Sequence, residues 1–171
     1  MAPPRSAARI LVAVVAVALS ACTHDDTRLR DDLTLYLQQA QDWAPVEAET
    51  SRTIARILAT QFVDEAEVRR QIRADLPRVA AHIARVRNIH PSSPELAAIQ
   101  ATYLTTWRDL ATGYNQIERG LDHGIVADVA AGRASLAAWR QGIIATADAL
   151  RRLRHDLEPQ QPDQNLALPA R

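Results

Sequence analysis

The sequence predicts an all-α protein whose main body, over residues 29–158, is an antiparallel four-helix bundle with kinked helices. Apolar residues recur there at spacings of three and four, the periodicity of a helix with one buried face. No stretch alternates with period two for long enough to form a strand. Helices joined by short turns bury their apolar faces against one another, and antiparallel packing needs the shortest connections. A helical hairpin that completes its core only by dimerising is the alternative.

The first periodic stretch is divided by a proline. Before the division its apolar positions are Leu29, Leu33, Tyr36, Ala40 and Trp43. Pro45 lacks a backbone N–H and clashes with the preceding turn, so it predicts a break or a kink just before it. The pattern resumes at Ile54, Ile57 and Leu58.

The next helix is predicted to start at Asp64. Asp64 is expected to be the N-cap, Glu67 to reach back to it as in a capping box, and Val63 to pack on Val68 as a hydrophobic staple. Pro77 predicts a kink inside this helix. Its apolar face consists of Val68, Ile72, Leu76, Val79, Ile83 and Val86.

The clearest turn is the HPSSPE segment at residues 90–95. Either Ser92 or Ser93 is expected to cap the following helix, and Pro94 suits its first turn. Gly120 and Gly124 bracket the end of this helix. Its face resembles a coiled-coil seam and consists of Leu96, Ile99, Tyr103, Trp107, Leu110, Tyr114, Ile117 and Leu121.

The last helix is predicted to approach its neighbour closely at Gly132, which lies on its apolar side. The apolar positions are Val126, Val129, Leu136, Ile143, Ala147, Leu150, Leu153 and Leu157. Three prolines in a glutamine-rich tail follow, so residues 159–171 are predicted to be disordered.

The N-terminal segment has the layout of a secretory signal peptide over residues 1–21. Arg5 and Arg9 form a basic flank, and an apolar run at 10–19 follows. This run is shorter than the roughly 20 residues that a membrane-spanning helix needs. A buried core helix is the alternative, although the run has no polar face to present to solvent.

The four residues that end the segment are Leu19, Ser20, Ala21 and Cys22, and Cys22 is the only cysteine of the chain. This sequence resembles the lipobox of bacterial lipoproteins. The resemblance implies that signal peptidase recognises Leu19, Ser20 and Ala21 and cleaves before Cys22. It also implies diacylglycerol on the Cys22 sulfur and an acyl group on the new N-terminus, with residues 22–28 as a lipidated tether. Thr23 in place of aspartate favours transport to the outer membrane over retention in the inner one.

Composition excludes several classes of function. All 20 basic residues are arginines, they balance 20 acids, and a neutral chain lacks the basic stripe of nucleic-acid-binding proteins. Without lysine, Schiff-base and Ser–Lys mechanisms are excluded. A single cysteine excludes an intramolecular disulfide and haem attachment through two cysteines.

No residues are predicted to be catalytic or to bind a metal. A helical metal site needs ligands three or four positions apart, and His82 and His90 are eight apart; the other histidines are His24, His123 and His155. The acid pairs Asp25-Asp26 and Asp31-Asp32 are interpreted as solvated charge near a helix N-terminus. The chain is therefore predicted not to be an enzyme, and to carry no cofactor other than its covalent lipid.

Two further features have alternative interpretations. Tyr103, Trp107 and Tyr114 share one helix face, which is either core or an apolar ligand slot between helices. The Arg-rich segment at 151–155 either complements the helix dipole or contacts lipid head groups or an acidic partner.

The order of helix, turn at 88–96, aromatic-bearing helix, glycine-containing turn and final helix is similar to uncharacterised helical-bundle proteins of bacterial envelopes, and implies fold only. The sequence thus predicts a lipid-anchored protein that faces the periplasm. It is expected to act by contact with an envelope protein partner or as a homodimer, as an adaptor, assembly or accessory factor. A carrier or sensor of a small apolar ligand or lipid is the alternative.

Overall fold

The computed structural model describes residues 26–59 and 64–158, and helices account for nearly all of them. Helix α1 spans residues 26–40 and continues through a 3-10 turn at Gln41–Trp43 into α2, Ala44–Ala59. Helix α3 spans Glu65–Arg87, α4 spans Pro94–His123 and α5 spans Val126–Leu157. No strand occurs within the two described ranges, so the predicted all-α class is confirmed.

Several predictions lie outside the described residues. They are the signal peptide at 1–21, the lipidation site Cys22, the contact of Val63 with Val68 and the tail at 159–171. Helix α1 is already helical at residue 26, so it includes the last part of the predicted tether at 22–28.

Pro45 does not interrupt the helical path. Ala40 and Ala44, which flank the 3-10 turn, both have right-handed helical backbone angles. Pro45 lies in the first turn of α2, where its missing N–H forfeits no bond within that helix. Pro77 lies inside α3, which extends on both sides of it.

The starts of α3 and α4 are capped in different ways. Asp64 is the N-cap of α3, as predicted, and its Oδ1 accepts hydrogen bonds from the N–H groups of Ala66 at 3.1 Å and Glu67 at 3.3 Å. Ser93 is the N-cap of α4, but its side chain makes no capping bond. Instead Asp32 Oδ2, from α1, accepts hydrogen bonds from the N–H groups of Ser92 at 3.0 Å and Ser93 at 2.8 Å.

Among the pairs formed by α2, α3, α4 and α5, helices α4 and α5 make the most extensive contact. Gly132 faces Gly113 so closely that a Cβ on Gly132 would lie 2.5 Å from the carbonyl oxygen of Gly113. The close approach predicted at Gly132 is therefore confirmed. Gly124 ends α4 with φ +67°, a left-handed conformation that glycine adopts without strain.

The core agrees with most of the predicted apolar faces. Its largest fully buried side chains include Trp107, Tyr36 and Tyr114. Two positions on the last helix were predicted wrongly. Val126 is 80% exposed because it lies beyond the end of α4. Ala147 is exposed, and its neighbour Thr146 takes the buried position.

Candidate functional site

Six buried rings form an aromatic cluster at the centre of the fold. Trp43 stacks on Tyr103 with ring centroids 5.0 Å apart. His82 lies 4.3 Å from the ring of Trp107, which in turn meets Trp139 edge-on at 5.3 Å. The cluster consists of Tyr36, Trp43, His82, Tyr103, Trp107 and Trp139.

A chain of hydrogen bonds crosses this cluster from α3 to α2. The Tyr103 hydroxyl donates to Glu47 Oε1 at 2.6 Å, and His82 Nε2 lies 2.8 Å from the same hydroxyl. Because the Tyr103 proton points at Glu47, the hydroxyl oxygen is left to accept from His82. His82 therefore carries its proton on Nε2. Its Nδ1 has no hydrogen-bond partner among the described residues.

Burial sets the ionisation of these groups. It lowers the pKa of His82 to about 4, with a further contribution from the charge of Arg85. Burial, together with the charge of Glu47, raises the pKa of Tyr103. Both side chains are thus neutral near pH 7, and the chain of hydrogen bonds is fixed in one direction.

A second buried polar network lies further along the α3–α4 interface. Asp75 is 1% exposed. Its Oδ2 accepts the hydroxyl of Tyr114 at 2.8 Å and its Oδ1 pairs with Arg78 at 2.8 Å. Burial raises the pKa of Asp75, although Tyr114 and Arg78 both act in the opposite direction.

The predicted ligand face is divided between these two networks. Tyr103 and Trp107 belong to the aromatic cluster, and Tyr114 bonds Asp75. All three side chains are 2% exposed or less. This packing agrees with the core interpretation, while an apolar slot at these positions stays a prediction.

A cavity of about 320 Å³ adjoins the cluster, between α1, the 3-10 turn and the turn before α4. Tyr36 and Trp43 are shared by the cluster and the cavity lining. The Tyr36 hydroxyl and Trp43 Nε1 are buried and have no hydrogen-bond partner among the residues described. Burial raises the pKa of Tyr36 to about 12, so its hydroxyl keeps a proton to donate.

Charged side chains at the mouth of the cavity come from three segments. Asp42 and Arg85 are exposed. Within residues 26–59 and 64–158 neither side chain forms a hydrogen bond or an ion pair. Asp32 is the third charged group, and its capping bonds to Ser93 and Ser92 outweigh partial burial and lower its pKa.

The remaining groups singled out in the sequence, which are the possible metal ligands, the Arg-rich segment and the acid pairs, do not come together at one site. In the described part of the chain, no three His, Cys, Asp or Glu side chains come together as a metal site would require. In the Arg-rich segment, Arg151 pairs with Asp148 of the same helix and His155 lies 3.8 Å from Glu158. Of the two predicted acid pairs, the structure describes Asp26, Asp31 and Asp32, and among these three Asp32 caps α4.

Sequence reasoning missed three buried groups that make these networks, His82, Asp75 and Trp139. Their spacing in the sequence places these three residues on the buried faces of their helices. Asp75 and His82 each lie three or four positions from apolar residues of the α3 face, and Trp139 lies between Leu136 and Ile143 on that of α5.

The chain matches no protein-family model, no curated protein and no solved structure. Across the helices that the structure describes, none combines the length and apolar character needed to cross a membrane.

Proposed function

We propose that this protein is a lipid-anchored helical bundle of the bacterial cell envelope that acts by contact with a protein partner. The lipobox-like Leu19-Ser20-Ala21-Cys22 supports the anchor. The proposal includes no catalytic activity and no cofactor besides the diacylglycerol and N-acyl groups on Cys22. Two or three acyl chains hold a protein on a membrane firmly, whereas one chain does so only marginally. The body of the protein then faces the periplasm, with the outer membrane favoured by Thr23.

The body itself is proposed to be an antiparallel four-helix bundle in which α1 and α2 together form the first element. Contacts between neighbouring helices support this arrangement, because residue numbers increase along one helix while those of the contacted residues decrease along the other. Thr106 lies beside Gly142, and Gly120 lies beside Val129. Between α3 and α4, Arg73 pairs with Glu118, and the contact of His82 with Tyr103 is consistent with the same direction.

The single observation that carries the contact hypothesis is an exposed apolar tip at the turn between α4 and α5. Ile125 is 42% exposed and Val126 is 80% exposed. Arg30, near the start of α1, donates a hydrogen bond to the carbonyl of Leu157, at the far end of α5. The 32 residues of α5 therefore separate the tip from the anchored end by roughly 48 Å. A tip this far from the membrane is well placed to meet a partner.

The anchor is tested by labelling. Cys22→Ser in the full-length chain is expected to leave the uncleaved precursor and to abolish incorporation of radiolabelled palmitate. Ser20→Ala, which keeps a small residue before the cysteine, serves as the control and is expected to be labelled. Palmitate incorporation into the Cys22→Ser chain would refute the anchor.

The contact is tested by photocrosslinking in intact envelopes. A photoreactive amino acid replaces Val126 at the tip, and in a matched variant it replaces Ala137, which is exposed on the same helix. Crosslinking to one envelope protein from the tip alone supports the proposal, and an adduct of twice the chain's mass identifies a homodimer as the contact. No adduct, or the same adducts from both positions, would contradict it.

A carrier or sensor of a small apolar ligand is less well supported. A slot at Tyr103, Trp107 and Tyr114 requires these rings to leave their present neighbours, including the stacking of Tyr103 on Trp43. Titration of the full chain with envelope lipids, followed by tryptophan fluorescence, distinguishes the two functions. Saturable quenching favours the carrier, and an unchanged spectrum favours contact alone.

A further inference from the structure

The junction between α1 and α2, residues 36–47, lies directly on the aromatic cluster. Trp43 ends the 3-10 turn of the junction and is 4% exposed. Its ring stacks on Tyr103 of α4 and meets the ring of His82 of α3 edge-on, with centroids 5.9 Å apart. A 3-10 turn within a longer helical run has poorer hydrogen-bond geometry than the α-helix and often marks a hinge. The chain is therefore able to bend at this turn and to move the junction away from the cluster.

Both ends of the run formed by α1 and α2 are fastened to α5. Arg30, near the start of the run, donates a hydrogen bond to the carbonyl of Leu157. Near the other end, the carbonyls of Ile57 and Leu58 accept hydrogen bonds from Arg133 at 3.0 Å and 2.9 Å. Neither a guanidinium nor a backbone carbonyl changes its charge in mild acid. The ends of the run therefore stay in place on acidification, and the junction between them is the part that covers a titrating side chain.

His82 is the titrating side chain beneath the junction. It donates to the hydroxyl of Tyr103 at 2.8 Å, and the same hydroxyl donates to Glu47 of the junction at 2.6 Å. A proton added to His82 would place a charge and a second N–H, at Nδ1, where no acceptor exists among the described residues. That charge costs free energy while the junction covers the ring, and the cost falls when the junction opens and water reaches Nδ1. Acid therefore favours the open junction.

Charged and titratable groups from the neighbouring helices surround His82 without reversing this effect. Burial lowers the pKa of His82, and the positive charge of Arg85 on the same helix lowers it further. Tyr36, on α1, has its pKa raised to about 12 by burial and stays neutral. Partial burial of Asp32, which joins α1 to the start of α4, is outweighed by its capping bonds, and these hold its pKa below the ordinary 3.8. From α5 the cluster receives Trp139, which does not titrate.

The close approach of α4 and α5 is made by uncharged groups. Gly132 lies against Gly113, and Gly120 lies against Val129. None of these four residues has a side chain that gains or loses a proton. Acid therefore leaves this close approach in place.

From these contacts we infer that mild acid opens the junction away from the aromatic cluster, while α4 and α5 stay packed together. Protonation of His82 is the trigger, and the 3-10 turn is the hinge. Opening exposes Tyr103 and Trp107, two residues of the predicted ligand face, to solvent. This response is independent of the partner contact at Ile125 and Val126.

The size of the effect follows from the ionisation of His82 in the two forms. Burial lowers its pKa from 6.5 to about 4 while the junction is closed, and the open junction restores the ordinary value. Between these pH values the open form takes up a proton that the closed form does not. The open form is therefore favoured about 100-fold more at pH 4 than at pH 7.

Hydrogen exchange of the full-length protein in detergent tests this inference, with rates corrected for the intrinsic exchange rate at each pH. From pH 7 to pH 4 the protection of the amides at 36–47 is expected to fall about 100-fold. At pH 4 it is expected to lie roughly tenfold or more below the protection of α4 and α5. Unchanged protection of the junction would overturn the inference. Equal protection of the junction, α4 and α5 would overturn it too, because the exchange would then report unfolding of the whole bundle.

Three variants assign the trigger. His82→Gln keeps a donor for Tyr103 but does not titrate, and its fall in protection between pH 7 and pH 4 is expected to be less than about threefold. His155→Gln is the matched control, because the side chain of His155 is 83% exposed, and it is expected to retain the full fall. Arg85→Gln changes an exposed side chain and removes a charge that disfavours protonation of His82, so the junction is expected to open at higher pH. A full fall in His82→Gln, or failure of Arg85→Gln to raise the pH of opening, would contradict the assignment.

Discussion

His82 of α3 donates a hydrogen bond to Tyr103 of α4, with 2.8 Å between Nε2 and the hydroxyl oxygen. The Tyr103 hydroxyl in turn donates a hydrogen bond to Glu47 of α2 at 2.6 Å. One chain of hydrogen bonds therefore joins three helices through the middle of the core. Protonation of His82 would keep this direction, but it would place a charge and a second, unpartnered N–H in an apolar surrounding, which costs free energy.

Stability is predicted to fall in mild acid because of His82. Burial lowers its pKa from 6.5 to about 4 in the folded protein. Between these pH values the unfolded chain takes up a proton that the folded chain does not, so the free energy of unfolding decreases as pH falls, by about 3 kcal/mol in total. Urea denaturation from pH 7 to pH 4 measures this decrease.

His82→Gln is the control for this pH dependence, since an amide can still donate to Tyr103 but does not titrate. The variant is expected to lose about 3 kcal/mol less than the wild type between pH 6.5 and pH 4. Parallel pH profiles for the two chains would show that His82 is not the group responsible.

Removing a single tyrosine hydroxyl is predicted to have unequal effects on stability at two buried sites. Tyr114→Phe takes away the hydroxyl that bonds the buried carboxylate of Asp75 at 2.8 Å, and we expect a loss of about 2 kcal/mol. Tyr36→Phe removes a buried hydroxyl with no partner among the described residues, and we expect a change near zero. Denaturant titrations compare the two variants, and equal losses would argue against the Asp75 network.

The carboxylate of Asp32 is predicted to stabilise α4 although it belongs to α1. Because it accepts the N–H groups of Ser92 and Ser93, Asp32→Ala is expected to cost about 1 kcal/mol, as the loss of an N-cap does. Hydrogen exchange at the start of α4 is expected to accelerate. Asp31→Ala, at the neighbouring exposed position, serves as the control, and an equal effect there would indicate a general charge effect.

Close packing of α4 on α5 is predicted to depend on Gly132. A Cβ there would lie 2.5 Å from the backbone oxygen of Gly113, so Gly132→Ala must separate the helices and is expected to cost about 1–3 kcal/mol. In Gly142→Ala the atoms nearest the new Cβ all belong to the side chain of Thr106 and none to the backbone of α4, so a smaller cost is expected. Thermal unfolding compares the two, and a larger loss for Gly142→Ala would be inconsistent with this packing.

Much of the fold could be predicted from periodicity and capping. The apolar face of α4, the cap at Asp64 and the close approach at Gly132 depend on residues within one helix or on its nearest turn, and the sequence contains that information. The error at Val126 has a physical reason, because periodicity shows which face is apolar but not where the neighbouring helix ends.

The candidate site could not be predicted in the same way. His82 meets Tyr103, and Asp75 meets Tyr114, only at one register of α3 against α4. Spacing along one chain segment does not determine that register. The cavity at Tyr36 and Trp43 likewise requires α1 to lie beside the turn before α4, a contact between residues about 60 positions apart.

The central claim is that Cys22 is the point of attachment to the membrane. Mass spectrometry of the protein extracted from its native membranes tests it most directly. We predict an N-terminal peptide that begins at Cys22 and carries a diacylglyceryl group on sulfur and an acyl group on nitrogen. A peptide that still contains residues 1–21, or a Cys22 with a free thiol, would contradict the account.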